Sequence, residues 1–201
     1  MSKPWKIVAG AIAAGLVVLA SFGVYLVLRF HTYYAPSESM APTIRKQQMF
    51  VVDRFAYRGE PPRRGDVVVF TPPILSPNPY FKRVVAVPGD RFAIRGGHTL
   101  INGMLVDDPY APKEAPYELA VRDYGMWVDG ARLEPALAMI PPRARWTAPD
   151  TVPAGCYVVL GDNRANSQDS HAFGFFCPGQ PVPTQPNVHQ ELLGRALVPS
   201  R

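Results

Sequence analysis

The hydrophobic pattern divides the chain into one long apolar run and many short ones. Ile7 to Leu28 contains no charged residue. Twenty-two residues as a helix span about 33 Å, against a hydrocarbon core of about 30 Å. The run predicts a single transmembrane helix. Lys3 and Lys6 precede it, and Arg29 alone follows closely. By the positive-inside rule the N-terminus is expected in the cytoplasm and the bulk of the chain outside the inner (plasma) membrane. Trp5, Tyr33 and Tyr34 flank the run, where amphipathic rings favour the interface. A cleavable secretory signal is the competing reading, but its apolar region is normally only about 7–15 residues long. No clean Ala-x-Ala site follows Leu28, so a retained anchor is expected.

Beyond the anchor the apolar runs are short and rich in Val, Phe and Tyr. Met49–Phe55, Asp66–Phe70, Phe81–Val87 and Tyr157–Leu160 read as strands, with Leu193–Val198 as a closing strand. Gly96-Gly97 separates Arg91–Arg95 from Thr99–Ile101, and Asn102-Gly103 separates that piece from Met104–Val106. Both dipeptides are hairpin signals, because a type I′ turn needs positive φ at two positions. The prediction is a mainly β fold, an irregular antiparallel sheet or barrel-like domain, preceded by one transmembrane helix.

The 23 prolines among 201 residues are about twice the usual 5%. Proline interrupts strand ladders, so strands are expected to be short and long helices outside the anchor absent. Asp107 to Pro153 carries Pro109, Pro112, Pro116, Pro135, Pro141, Pro142, Pro149 and Pro153 with few sustained strand patterns. It reads as a lobe inserted into the domain. Its Tyr124, Met126 and Trp127 fit either a membrane interface or packing under a loop. Gln180–Gln190 reads as a polar loop. The expected organisation is an anchor over residues 1–30 and an extracytoplasmic domain over 31–201, with the lobe at about 107–153.

Net charge is only +5, without a dense Lys/Arg block, which argues against nucleic-acid binding. A mildly basic surface suits anionic lipid better. Cys156 and Cys177 are the only cysteines. Outside the cytoplasm they are expected to pair, and a disulfide closing this loop contributes about 3 kcal/mol in the chain-entropy model. Two free buried thiols are the alternative. Two thiols and four scattered histidines show no zinc-ligand spacing. No metal or organic cofactor is expected.

Candidate chemistry begins at Ser39, eleven residues beyond Leu28, in Pro36-Ser37-Glu38-Ser39-Met40-Ala41-Pro42-Thr43. A serine hydroxyl is a weak nucleophile and needs a base; a neutral lysine can serve. A free lysine titrates near about 10.4, and burial lowers that value. Lys82 lies in Phe81-Lys82-Arg83-Val84-Val85-Ala86-Val87. Period-two alternation puts Lys82, Val84 and Ala86 on one face and Phe81, Arg83 and Val85 on the other. On this segment alone a strand lysine reaching out to water is the better description. A third segment, Gly161-Asp162-Asn163-Arg164-Ala165-Asn166-Ser167-Gln168-Asp169-Ser170, follows the strand Tyr157–Leu160. It is dense in turn-forming residues but does not meet the EF-hand calcium pattern.

Together these segments resemble the type I signal peptidases, membrane-anchored Ser/Lys serine peptidases. Arg64-Gly65-Asp66-Val67-Val68-Val69-Phe70, Val87-Pro88-Gly89-Asp90 and Leu193-Gly194-Arg195-Ala196 add to the resemblance, which covers most of the chain except Asp107–Pro153. The resemblance implies Ser39 as nucleophile and Lys82 as general base. It implies Ser37 and the Ser39 backbone N–H as oxyanion donors, and Ser167 as the residue that orients the Lys82 amine. Asp162 would pair with Arg83 and brace the two motif strands. The implied substrates are secretory preproteins with small residues at the −1 and −3 positions, cut by a monomeric enzyme at the lipid bilayer. One departure is visible. After Asp169-Ser170 the family usually carries arginine, and here stands His171. The usual support of Asp169 thereby becomes a titratable imidazole, and a Ser39–His171–Asp169 arrangement becomes a rival to the dyad.

Three other readings use the same residues. A maturation peptidase of the conjugative-transfer type would process one pilin-like partner. A membrane-tethered binding module would keep the scaffold without catalysis, and it has no physical need for a lysine buried beside a serine. A self-cleaving regulator of the repressor type would carry a DNA-binding region where this chain has an apolar run.

Overall fold

The computed structural model describes residues 4–110, 116–134 and 138–198. Lys3, Pro112 and Pro135, named above, lie outside them. Helix α1 (Pro4–Arg29) contains the apolar run, and β1 (Phe30–Tyr34) begins at the next residue. Then come β2 (Met49–Asp53), β3 (Val67–Phe70), β4 (Tyr80–Ala86), β5 (Phe92–Arg95), β6 (His98–Ile101) and β7 (Met104–Leu105). The excursion supplies β8 (Leu119–Arg122), β9 (Gly125–Val128) and β10 (Ala131–Arg132). The chain continues through β11 (Val158–Leu160), a single helical turn α2 (Ser170–Phe173), β12 (Pro181–Val182), β13 (Gln185–His189) and β14 (Leu192–Ala196).

The strands form two six-stranded antiparallel sheets, ordered β1-β2-β14-β3-β4-β11 and β10-β9-β8-β5-β6-β7, with β12-β13 as a separate ribbon. The architecture is mainly antiparallel β with an N-terminal apolar helix, as the sequence predicts. Apolar residues of α1 such as Val17, Leu19 and Val27 are exposed. Among the described residues, Trp5–Arg29 is the one helix long and apolar enough to cross a membrane.

Strand ends follow local hydrogen bonding. Strand β2 stops at Asp53, short of the expected Phe55, because the Asp53 carboxylate accepts the Phe55 N–H at 2.9 Å and turns the chain. The β5–β6 and β6–β7 hairpins turn where the dipeptides predict. Gly96 and Gly97 have φ of 54° and 79°, and Asn102 and Gly103 have 55° and 80°.

Three readings need correction. Residues 30–34, to which the sequence pattern assigns no element, form β1; Thr and Tyr suit an edge strand even without an apolar alternation. The excursion, which shows few strand patterns in sequence, nevertheless supplies three short strands, and these extend the second sheet. Met126 is fully buried between the sheets and Tyr124 stacks edge-on to Trp146 at 5.8 Å, which resolves the open choice for these two in favour of packing. Trp127 is half-buried and donates its indole N–H to the Arg122 carbonyl at 3.0 Å. Gln180–Gln190 contains the β12–β13 ribbon; Val182 is buried, but Gln185–His189 is largely exposed and carries no hydrophobic period to read.

Both faces of the first sheet are covered. Phe50, Val52, Val67, Val69 and Phe81 pack with Met40 and Ile44 on one face. Val68, Phe70, Val84 and Val159 pack with Phe173 and Phe176 on the other. Phe70 meets Phe176 at 4.3 Å between ring centroids, and burying a ring of this size contributes about 1.5–3 kcal/mol. A third core joins the two sheets and holds the Cys156–Cys177 disulfide.

Candidate active site

The turn after β1 and strand β4 meet at two side chains. Pro36 to Thr43 leaves the sheet edge and coils, with the Ile44 N–H on the Met40 carbonyl at 2.9 Å. The buried Met40 and Ile44 anchor this turn in the core. Ser39 is thereby held at 7% exposure, and Lys82 arrives from the middle of β4 at 4%. The Lys82 Nζ lies 2.8 Å from the Ser39 Oγ. Ser37, exposed, donates its hydroxyl to the Ser39 Oγ at 3.2 Å.

Burial pushes the Lys82 pKa down to about 8, although the Asp169 and Asp162 carboxylates pull it up. The Tyr80 and Phe81 rings lie 5.4 and 5.9 Å from the Nζ and attract its cationic form. Desolvation outweighs all of these, so about a tenth of the lysine is neutral at pH 7.

Arg83 takes the opposite course. Its guanidinium forms a fork on Asp162, at 2.7 Å from Nε and 2.6 Å from Nη2, and donates to the Gly65 carbonyl at 2.6 Å. Tyr110 covers it at 4.5 Å. Strand pairing agrees with this division. Val68 lies opposite Lys82 with its side chain in one core, and Val67 lies opposite Arg83 with its side chain in the other. The alternation ends at Val84, however. Val159 pairs with Val84 but Val158 with Ala86, so Val85 is an extra residue and Ala86 turns into the core between the sheets. Ala86 therefore does not share the face of Lys82, as simple alternation predicts.

The loop after β11 closes over the pair. Its Asn163 N–H donates to the Ser39 carbonyl at 3.1 Å, and the Asn163 amide to the Glu38 carbonyl at 3.3 Å. Asp169, fully buried, accepts the Gly161 N–H at 2.9 Å, and the Ser170 hydroxyl accepts the Val159 N–H at 2.9 Å. A serine–lysine contact inside an apolar sheet, under a loop tied at both ends, is an arrangement for nucleophilic catalysis.

Residues 7–184 match the family model described as signal peptidase, peptidase S26. The chain belongs to that family. It is 33% identical over 191 residues to signal peptidase I of Leptolyngbya laminosa, covering 92% of this chain and 74% of the relative. It is 36% identical over 146 residues to signal peptidase I of Bacillus caldolyticus, covering 73% and 71%. A crystal structure of a signal peptidase I from Enterococcus faecalis V583 is similar at 29% identity and a TM-score of 0.39, over 58% of this chain and 89% of that one.

The sequence-predicted residues come together with two exceptions. Ser167 makes no hydrogen bond to Lys82; its buried Oγ has no hydrogen-bond partner among the described residues and packs against Gly161. His171 does not reach Ser39. Its Nδ1 pairs with Asp169 Oδ1 at 2.8 Å, and its ring stacks on Tyr117 at 4.4 Å. The hydrogen-bond partners of the Ser39 Oγ among the described residues are Lys82 and Ser37, so the Ser39–His171–Asp169 rival has no geometric support.

Three contributors escaped the sequence reading. A Cβ on Gly161 would collide with the Ser167 hydroxyl and the Ser39 carbonyl, so this glycine permits the loop to approach the dyad. Arg164 is buried, donates to the Gly161 carbonyl at 2.9 Å, and forks onto Asp108 at 2.9 and 3.1 Å. Tyr110, from the excursion, accepts from Arg83 at 3.2 Å and from Thr43 at 3.1 Å. Gly161 and Arg164 stand in a motif that drew attention to its carboxylates. Tyr110 belongs to the one region without a resemblance.

Proposed function

We propose that the chain is a membrane-anchored serine endopeptidase that removes N-terminal signal peptides from secreted preproteins, with Ser39 as nucleophile and Lys82 as general base. The observation that carries this reading is the 2.8 Å contact between two buried side chains, one of them a lysine with a depressed pKa. Residues 1–30 are the cytoplasmic stub and anchor, and residues 31–201 the catalytic domain on the far side of the inner membrane. The anchor brings the dyad to substrates whose apolar segments lie in the same bilayer. Small side chains at −1 and −3 of the preprotein fit this family of peptidases, and a single copy of the chain suffices.

In this reading the chemistry is acyl transfer through Ser39. Neutral Lys82 takes the Ser39 hydroxyl proton as the Oγ attacks the scissile carbonyl carbon. The oxyanion that forms accepts from the Ser37 hydroxyl and the Ser39 N–H, donors whose loss costs about 10²–10³ in rate in comparable sites. The C–N bond then breaks, and the Lys82 ammonium returns the proton to the leaving amine. Water, deprotonated by Lys82, attacks the acyl-Ser39 ester. The tetrahedral intermediate collapses, the proton returns to Ser39, and the new carboxyl terminus departs. Asp162 and Arg83 hold β4 to the loop, and Asp169 holds the loop to Gly161.

The test is cleavage of several unrelated preproteins in liposomes by the wild type, Ser39→Ala and Lys82→Ala. Cleavage at small-x-small sites, abolished by either substitution, supports the reading. Activity that survives Lys82→Ala removes the dyad, and activity confined to a single pilin-like substrate replaces the general role with a dedicated one.

A further inference from the structure

Helix α1 and the first sheet are joined by more than the peptide bond between Arg29 and Phe30. The Arg29 guanidinium grips Asp53 at the end of β2, with Nη2 2.6 Å from Oδ2 and Nε 3.1 Å from both carboxylate oxygens. Its Nη1 donates backward along the helix to the Tyr25 hydroxyl at 2.7 Å. The Arg54 N–H donates to the Arg29 carbonyl at 2.8 Å. One turn deeper, the Tyr25 ring meets Phe55 edge-on at 5.9 Å, and Arg58 covers Phe55 at 3.3 Å. Asp53 is 3% exposed and also accepts the Phe55 N–H. Burial would raise its pKa, but the hydrogen bonds from Arg29 and Phe55 prevail and hold it below the usual carboxylate range.

A free tether would not need any of this. A helix that serves only as an anchor leaves its last turn to water and lipid, and the following residues run as coil. Here the last turn of α1 docks on the corner after β2, and β1 pairs with β2 from its first residue, Phe30 opposite Asp53. Strand β2 pairs with β14, β14 with β3, and β3 with β4, which carries Lys82. Ser39 follows β1 after a turn locked by the Ala35 N–H on the Gln48 carbonyl at 2.9 Å. A continuous hydrogen-bonded path therefore links the end of the membrane helix to both reacting side chains.

We propose that the Arg29–Asp53 clamp, backed by Tyr25 and Phe55, fixes the peptidase domain rigidly on its membrane helix, so that Asp53 acts as a positioning residue for substrates held in the bilayer. It rests on the peptidase reading only for its catalytic consequence. A soluble peptide can meet the dyad at any orientation and gains nothing from the clamp. A preprotein whose apolar segment is embedded presents its scissile bond at one height, and a displacement of about 1 Å at a reacting centre can cost 10²-fold.

The experiment uses the full chain in liposomes with spin labels at Val17→Cys on the exposed side of α1 and Met104→Cys on the exposed tip of the second sheet. The wild type should give one narrow distance distribution. Asp53→Asn keeps an acceptor for the Phe55 N–H, and Arg29→Gln leaves Asp53 untouched; each should widen the distribution about twofold. In parallel, kcat/KM is measured on a membrane-inserted preprotein and on a soluble peptide with the same cleavage site. Both single variants should lower the preprotein-to-peptide ratio by about tenfold or more. A broad distribution in the wild type, an unchanged ratio, or an equal loss on both substrates overturns the proposal. Narrow distances in a wild type inactive on both substrates would sink the peptidase reading and leave the rigid clamp standing.

Discussion

Lys82 and Arg83 are neighbours on β4 and send their charges to opposite sides of it: Lys82 to Ser39 at 2.8 Å, Arg83 to Asp162 at 2.6 Å. The strand's alternation thus separates two cations that would otherwise compete for the same carboxylates. The lysine meets a hydroxyl and keeps a low pKa. The arginine, always charged, takes the carboxylate fork that suits its planar geometry. Exchange of the two residues would invert both environments.

Lys82 makes activity and stability depend on pH in the same direction. The neutral form is the base, so kcat/KM should climb with pH through about 8 and level off above it. Its pKa is lowered on folding, so between about 8 and 10.4 the unfolded chain binds more protons and stability also rises with pH. Below about 8 the folded state bears the whole cost of a buried ammonium. Lys82→Met should therefore abolish cleavage and stabilise the fold at pH 7 by about 1–3 kcal/mol. Urea unfolding at pH 7 and pH 10 checks this; a variant destabilised equally at both values would show that the lysine carries no ionisation penalty.

The Arg83–Asp162 pair should behave in the opposite way. Its side chains are 14% and 0% exposed, so removal of one partner leaves an uncompensated buried charge. Asp162→Ala and Arg83→Ala should each cost about 3–5 kcal/mol, and the double variant markedly less than their sum. Cleavage should fall at least about tenfold in every case, because the loop that covers Ser39 loses its hold on β4. Thermal unfolding of the four proteins in a double-mutant cycle gives the coupling, and additive losses would count against the brace.

The legible parts of this protein were those with a period or a fixed turn chemistry. The uncharged run over Ile7–Leu28, the Val-rich strands and the Asn102-Gly103 turn depend on local rules, and each lies where those rules put it. Strand β13 was not legible, since Gln185–His189 faces water and shows no alternation. The bulge at Val85 was not legible either, because register is set by the partner strand β11 and not by β4 itself. Motif residues pointed to the dyad and its braces, whereas Gly161 matters through what it lacks, a Cβ, and Tyr110 through a contact made 27 residues away on Arg83. Spacing along a chain cannot announce either.

Gly161→Ala is the sharpest test of loop approach. The added methyl would press on the Ser167 hydroxyl and the Ser39 carbonyl, and the second of these is backbone that cannot rotate away. The loop must retreat, which withdraws the Asn163 N–H from the Ser39 carbonyl and shifts the nucleophile. Cleavage should fall by about 10²-fold or more, with a smaller loss of stability of about 1–3 kcal/mol. Steady-state cleavage together with thermal unfolding separates the two effects. Near wild-type activity in this variant would mean that the loop does not set the position of Ser39.

His171 should prove replaceable. Asp169 owes its place to the Gly161 N–H at 2.9 Å and to its own cap on the turn of α2, and His171 adds one contact from a quarter-exposed ring. Arginine at this position reaches the same carboxylate and stays charged at every working pH. His171→Arg should keep kcat/KM within about threefold of wild type from pH 6 to pH 9, whereas Asp169→Ala should lose at least about tenfold through the freed Gly161 loop. The comparison is decisive for the rival triad: a folded His171→Arg protein without cleavage would make the imidazole part of the proton path, and the Ser39–Lys82 contact would no longer suffice as the reacting pair.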